Sequence, residues 1–271
     1  MISVLNSVSQ LGAENALSST QANLQKTLLQ LSTGLKINSG SDDAAGLSIA
    51  AGLGASISAL TQSSQNASNS VGLLQTADGA LSQVTSLLNR AVTLATEASN
   101  GQLTTAQSTA ADTEYQSILT EITQIGSTTN FNGTAVFSAT PITTFTSDGT
   151  AAGTTTTSTT TGALSATALG LTGDLTTVAK ATKSLDAVSA AIDTISATRG
   201  TIGASVNQLT ADENVENTQV TNLTAAQNNV QNADIGTTVA KMTQYNVLQQ
   251  TGMAALSQSN QAQQSVLKLL Q

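Results

Sequence analysis

The order of apolar and polar positions gives its strongest signal between residues 53 and 95. The series Leu53, Ile57, Leu60, Ser64, Ala67, Val71, Leu74, Asp78, Leu81, Thr85, Leu88, Val92, Ala95 advances in steps of three and four, and ten of its thirteen positions are apolar. That period is a coiled-coil seam, and it predicts one long helix over about 41–98. Ser41, Asp42 and Asp43 suit its start, where carboxylates meet the positive end of the helix dipole. Asn100-Gly101 suits its stop. A second seam runs Leu185, Val188, Ile192, Ile195, Arg199, Ile202, Val206, Leu209, Glu213, Glu216, Val220, Leu223, Gln227, Val230, with ten of fourteen positions apolar. An isolated helix would leave such a stripe wet, so the two seams are expected to pack on each other. The rod-packing residues are taken as Leu53, Ile57, Leu60, Val71, Leu74, Leu81, Leu88, Leu185, Ile192, Ile195, Val206 and Leu223. A shorter helix over about 106–125 adds Tyr115, Ile118, Leu119, Ile122 and Ile125 to the bundle.

The chain ends carry weaker repeats. One runs Leu17, Gln21, Leu24, Leu28, Leu31, Leu35; the other runs from Ile235 through Val239, Met242, Asn246, Gln249, Met253, Leu256, Asn260 and Gln263 to Leu267 and Leu270. Amides at seam positions make these stripes marginal in a lone chain, and they predict helices that are disordered in a monomer and fold against other copies. Leu17, Leu24, Leu28, Leu31, Leu35, Val239, Met242, Leu256, Leu267 and Leu270 are the candidate polymerisation core. Between the halves, residues 143–161 hold eleven Thr in nineteen positions. Asn132-Gly133, Asp148-Gly149 and Gly173-Asp174 are turn signals, and 131–145 can supply short β-hairpin strands. The expected fold is mainly α: a long antiparallel helical bundle or coiled-coil rod from both chain ends, with a small β-hairpin or loop excursion in the middle. That excursion reads as the least constrained part of the chain.

Composition narrows the chemistry. Aromatic residues make up 2% of the 271, which disfavours a thick single core. Charged residues are 9%, against roughly a quarter in typical soluble domains. A net charge of −8 without a basic stripe argues against nucleic-acid and anionic-membrane partners. With no Cys and no His, Cys/His zinc sites, thiol nucleophiles, His triads and disulfides are all excluded. No cofactor, metal or catalytic residue is expected, and the chain does not read as an enzyme. Residues 1–11 have no basic region followed by an apolar run, so no secretory signal is readable. Nowhere is there a stretch of about 18 apolar residues that could span a bilayer. Asp42-Asp43 is read as a helix cap rather than a metal or acid/base pair. Asp78 and Arg199 each interrupt a seam; they are either a register-setting buried pair or solvated edge positions. Gly34, Gly40 and Gly46 lack a preceding strand and a following Lys-Ser/Thr, so they read as a flexible join and not a phosphate loop.

The join itself reads Leu31-Ser32-Thr33-Gly34-Leu35-Lys36-Ile37-Asn38-Ser39-Gly40-Ser41-Asp42-Asp43-Ala44-Ala45-Gly46. It resembles the LSSGLRINSAKDDAAG signature of bacterial flagellins. Leu60-Thr61-Gln62-Ser63-Ser64-Gln65-Asn66-Ala67 is similar to the family's LTQASRNA, and Asn130-Phe131-Asn132-Gly133 to its QFNG. Val247-Leu248-Gln249-Gln250-Thr251-Gly252 and the 259–270 segment resemble ILQQAG and ANQ-PQ-VL-LL. The resemblance covers about 1–138 and 178–271. It departs at 228–234, where SRIEDAD is replaced by Asn228-Asn229-Val230-Gln231-Asn232-Ala233-Asp234, and at Gln30, where an Arg is usual.

The resemblance implies a structural subunit that polymerises into the flagellar filament for motility; the alternative is a hook–filament junction protein. It implies terminal helices (1–40 and 235–271) forming the inner filament core. The helical rod would be 41–133 and 177–234, and 134–176 a variable Thr-rich surface segment. The short insert implies that the large outer domains of long flagellins are missing. Implied too are export through the flagellar type III apparatus, an extracellular filament location, and a chaperone on the C-terminal helix. Filament-cap and hook-junction proteins are the remaining implied flagellar partners. Arg90, Leu94 and Glu114 match positions that flagellins present to a vertebrate Toll-like receptor; the plain alternative is a surface charge pair beside a packing leucine.

Overall fold

The computed structural model describes residues 2–148 and 156–269, the side chains of 2–7, 9, 263 and 266–269 excepted. Five helices dominate: α1 (Ile2–Thr33), α2 (Ala44–Ser99), α3 (Thr105–Thr128), α4 (Val178–Gln231) and α5 (Ile235–Leu269). Four short strands lie between α3 and α4: β1 (Asn130–Phe131), β2 (Thr134–Ala135), β3 (Ile142–Phe145) and β4 (Thr156–Thr159). The mainly α architecture, with antiparallel long helices from both halves of the chain, is the one the seams predict. The chain divides into two compact units, Met1–Ala55 with Asn222–Gln271, and Ser56–Thr221; the boundaries fall inside α2 and α4.

The second unit holds nearly all of the buried apolar core. In α2 the buried face is Leu60, Ala67, Leu74, Leu81, Leu88 and Ala95, alternating with Ser63, Ala77, Val84, Ala91 and Ala98. In α4 it is Ala181, Val188, Ile195, Ile202, Leu209 and Glu216, with Ser184 and Ala191 between them. The helices run antiparallel, because Ser63 meets Glu216 while Asp78 meets Arg199. Six of the thirteen expected seam positions in α2 and five of the fourteen in α4 are therefore buried, and several of the others lie one residue off the buried face. Val71, Asp78 and Val92 of α2, and Leu185, Ile192, Arg199 and Val206 of α4, are only half-buried on the flank. Small Ala and Ser side chains form the second buried row, and the spacing of packed helices depends on the side chains at the contact. A count of apolar character favours Val over Ala and so lands on the wrong neighbour.

Helix α3 starts at a capping box. Gln107 Oε1 accepts the Thr104 N–H at 2.8 Å, and Thr104 Oγ1 accepts the Gln107 N–H at 3.4 Å. It buries Tyr115, Ile118, Leu119 and Ile122. Gly126 approaches the Leu164 carbonyl so closely that a Cβ there would overlap it. Asn132 and Gly133, at φ 50° and 78°, turn the β1–β2 hairpin. Two positive φ values at an Asn-Gly turn match the right-handed twist of the flanking strands. β3 and β4 pair antiparallel from Ile142↔Thr159 to Phe145↔Thr156.

The Thr-rich middle is more anchored than a surface excursion. Val136, Phe137, Leu164, Leu171 and Leu175 are buried in the core, as are Thr144, Thr146, Thr157, Thr159 and Thr161. Thr161 Oγ1 donates to the Val136 carbonyl at 2.6 Å, and Thr144 Oγ1 to Ser70 Oγ at 2.7 Å. Alternation along β4 buries Thr157 and Thr159 and exposes Thr156 and Ser158. Thr154 and Thr155 lie outside the described residues.

One membrane criterion also needs correction. Helix α2 contains an 18-residue window of mean hydropathy 1.5, long and apolar enough to cross a membrane by composition, although only 17% of that window is buried. Interspersed Ser and Gly break any uninterrupted apolar run.

Candidate functional site

In the first unit α1 and α5 run antiparallel. Gln10 Nε2 donates to Asn260 Oδ1 at 3.2 Å, and a Cβ on Gly252 would sit 3.4 Å from Leu17 Cδ1. The crossover between α1 and α2 is pinned to the α4–α5 junction. The Lys36 N–H donates to the Gln231 carbonyl at 2.7 Å and the Ala233 N–H to the Gly34 carbonyl at 2.9 Å, closing a Leu35–Asn232 bridge. Gly34 takes φ 72° to make that turn. Gln30, standing where the family motif has Arg, donates Nε2 to the Lys36 carbonyl at 2.8 Å.

Asp42 and Asp43 divide the work at the start of α2. Asp43 Oδ1 accepts the Gly46 N–H at 2.9 Å, an N-cap on the third helical residue. Asp42 Oδ2 accepts the N–H groups of Asn38 and Ser39 at 3.0 and 3.1 Å, while Oδ1 pairs with Lys26 Nζ of α1 at 2.7 Å. The Lys26 contact and these N–H donors hold the Asp42 carboxyl down at about 2. Ile37 is buried beneath this loop, and a Cβ on Gly46 would lie 2.7 Å from its Cδ1. The expected flexible join is thus a hydrogen-bonded corner.

Along α1 and α5, no described hydrophobic side chain is buried; the buried positions are Thr27 and Thr238. Of the candidate assembly residues, Leu17, Leu24, Leu31, Leu35, Met242 and Leu256 are half-buried within the unit. Leu28 and Val239 are exposed. Leu270 lies outside the described residues, as does the side chain of Leu267. The C-terminal stripe already held Ile235 and Met253, but sequence periodicity missed Val8, Leu11, Leu29, Val247 and Leu248; with Leu28 and Val239 these side chains range from 39% to 66% exposed.

The rod-packing candidates split by face. Leu60, Leu74, Leu81, Leu88 and Ile195 are buried; Leu53, Ile57, Val71, Leu185, Ile192, Val206 and Leu223 are half-buried. Asp78 and Arg199 form a two-pronged pair at 2.7 and 3.1 Å on flanking positions, with side chains 42% and 36% exposed, so they meet at the solvated edge. The guanidinium holds the Asp78 carboxyl below its ordinary value. Arg90 and Glu114 also form a two-pronged pair, at 2.7 and 3.0 Å, between α2 and α3. Leu94 is 4% exposed in the core and is unavailable as a surface contact, because i, i+4 residues share a face only approximately. Among the described residues no group of three or more His, Cys, Asp and Glu is arranged to hold a metal ion.

By fold and by exposed chemistry this is a helical structural protein, whose outward signal is rows of apolar side chains on its terminal helices. Residues 4–141 match the family model for the bacterial flagellin N-terminal helical region, and 185–270 that for the C-terminal helical region. The chain belongs to the bacterial flagellin family. It is 42% identical to a Clostridium tyrobutyricum flagellin over 123 residues, spanning 44% of this chain and 33% of that protein. It is 39% identical to a Serratia marcescens flagellin over 140 residues, spanning 51% of this chain and 40% of that one. The chain therefore covers well under half the length of these relatives. The crystal structure of Bacillus cereus flagellin superposes with a TM-score of 0.51 at 30% identity, covering 60% of this chain and 94% of that one. The flagellin family is a family of structural proteins.

Proposed function

We propose that the chain is a structural subunit of the bacterial flagellar filament, without catalytic activity, that polymerises by packing α1 and α5 against the same helices of neighbouring copies. The carrying observation is that the α1–α5 pair buries no described hydrophobic side chain of its own. Apolar surface that stays wet gains about 25 cal/mol per Å² when another copy covers it. On this reading 1–40 and 235–271 form the inner core, 41–133 and 177–234 the rod, and 134–176 the variable Thr-rich surface segment. An extracellular location, type III export, and partners such as an export chaperone, cap and hook-junction proteins belong to the same reading. Recognition by a Toll-like receptor through Arg90 and Glu114 would meet them as a half-exposed ion pair. No observation favours the hook–filament junction alternative.

The test is seeded polymerisation of Val247→Ser/Leu248→Ser. The expected result is loss of long filaments by electron microscopy and sedimentation, with the monomer's unfolding midpoint unchanged. Filaments as long and as fast-growing as the parent's would place the assembly surface elsewhere.

A further inference from the structure

Glu216 stands one heptad after Leu209 on the buried face of α4, where Ala181, Val188, Ile195, Ile202 and Leu209 precede it, and it is 5% exposed. Its Oε1 lies 2.5 Å from Ser63 Oγ of α2. The same hydroxyl lies 3.1 Å from the Phe145 carbonyl at the end of β3, and accepts the Ser147 N–H at 3.0 Å. Glu216 Oε2 is buried with no hydrogen-bond partner. A cavity of about 300 Å³ opens beside it, lined among others by Asp148, Asp212, Val215 and Gln219. The charged groups facing this carboxyl are all acidic: Asp212 and Glu213 on its own helix and Asp148 after β3. From α2 come Ser63 and Leu60, neither of them charged.

Counting protons shows what this arrangement needs. A hydroxyl has one proton and two acceptor lone pairs. Ser63 faces two acceptors, Phe145 O and Glu216 Oε1, and its single proton can satisfy only one of them. If Glu216 is ionised, it takes the Ser63 proton, the Phe145 carbonyl loses its side-chain donor, and a carboxylate sits buried with one oxygen bare and no cation near. If Glu216 is protonated, it donates to Ser63, Ser63 donates to Phe145, and Ser147 donates to Ser63; one hydroxyl is then saturated by three bonds. Burying an unpaired charge costs far more than burying a neutral carboxyl.

We propose that Glu216 is a proton-operated clasp: neutral, it completes a hydrogen-bond chain that fastens the end of β3 to α2 and α4, and ionised, it draws the Ser63 proton away from the Phe145 carbonyl and loosens that end. Burial pushes the Glu216 carboxyl up, the Ser63 hydrogen bond offsets only part of that, and Asp212 and Glu213 push it further up. Folding therefore binds a proton here, so the clasp is complete below the ordinary glutamate range and is lost as pH rises through the folded-state value. The linkage runs opposite to that of Asp42.

The test is a ¹³C NMR titration of glutamate carboxyls in the full chain, with amide exchange of Ser147 read against neighbouring amides. The expected result is a Glu216 midpoint well above the ordinary 4.5, with Ser147 losing relative protection at that same midpoint. In Glu216→Gln the side-chain amide keeps donating to Ser63, and Ser147 should show no such midpoint. Titration of Glu216 together with the exposed glutamates would overturn the proposal. So would Ser147 protection that ignores the Glu216 midpoint, or a transition that survives in Glu216→Gln. If that variant does not fold, the wild-type titration decides alone.

Discussion

Val84 and Val92 sit on one helix, eight residues apart, and they separate the observed packing face from the one that periodicity suggests. Val84 is fully buried, whereas Val92 is half-buried on the flank. Val84→Ala removes two methyl-sized groups at about 0.8 kcal/mol each. The void it leaves adds about 24 cal/mol per Å³ of cavity that does not collapse. Leu81 and Leu88 stand fully buried one turn to either side, so relaxation there is limited. The gross cost is then about 2–3 kcal/mol. Against it stands the better helix propensity of Ala, on the order of 0.5 kcal/mol, which Val92→Ala gains equally. The net expectation is a loss of about 2 kcal/mol for Val84→Ala and close to zero for Val92→Ala. Urea unfolding of the monomeric chain, followed by circular dichroism at constant m-value, reads the difference. Equal losses, or a larger loss for Val92→Ala, would put Val92 in the seam and refute the rotated face.

Three further changes test other parts of the structure. Gly126→Ala forces a Cβ into the Leu164 carbonyl, which is backbone and cannot swing aside, so a loss of about 1–3 kcal/mol is expected in thermal unfolding. Gly79→Ala, with open space around it, should instead gain up to about 1 kcal/mol; a Gly126→Ala chain as stable as its parent would mean that α3 and the 164 loop do not meet as described. Asp42 is depressed to about 2, so its stabilisation is complete above the ordinary value of 3.8 and is lost as pH falls from there towards 2. Amide exchange at Asn38 and Ser39 should report that window, and Asp42→Asn should abolish it. An Asp78→Ala/Arg199→Ala double-mutant cycle should give a coupling of about 0.5–1 kcal/mol that weakens in high salt, as for half-exposed pairs. A coupling of about 3 kcal/mol, insensitive to salt, would mean a buried bridge instead.

The long helices were legible because a heptad repeats the same information many times, and one misjudged residue per turn does not erase it. Their rotation was not, because it depends on which small residue lets two backbones approach, and Ala77 and Ala91 carry almost no hydrophobic signal. The same error explains Asp78 and Arg199: placed in the seam they looked anomalous, while on the flank they are ordinary partners. The roles of Thr144 and Thr157 were hidden for another reason. A threonine buried by strand alternation has the same composition as one in a loop, and only the pairing of β3 with β4 tells them apart. Glu216 was visible as a seam interruption, but its meaning depends on Ser63 and Phe145, which are distant in sequence. On the terminal helices, strict heptads found Leu28 and Val239 but passed over Leu29, Val247 and Leu248, because a surface that meets several neighbours need not be one narrow stripe.

The two buried positions on the terminal pair show why this surface and the core obey different rules. Thr27 Oγ1 donates to the Asn23 carbonyl at 2.7 Å, and Thr238 Oγ1 to the Asp234 carbonyl at 2.7 Å, each on the turn just before it. Both hydroxyls are therefore satisfied locally and require nothing from the opposite helix. Where the second unit sets Leu74, Leu81 and Leu88 in full burial, the terminal pair sets self-satisfied threonines and half-wet leucines. Two helices meeting this way have little apolar area to set against the entropy of ordering nearly seventy residues, at about 1–2 kcal/mol of backbone entropy each. Their order must then lean on the pinned corner at Asp42 and on whatever covers Leu28, Val239, Val247 and Leu248. A firmer internal core would bury those side chains inside the chain and remove the surface that a second copy needs. On the proposed assembly, weak self-packing of α1 and α5 is thus the condition for strong packing between copies.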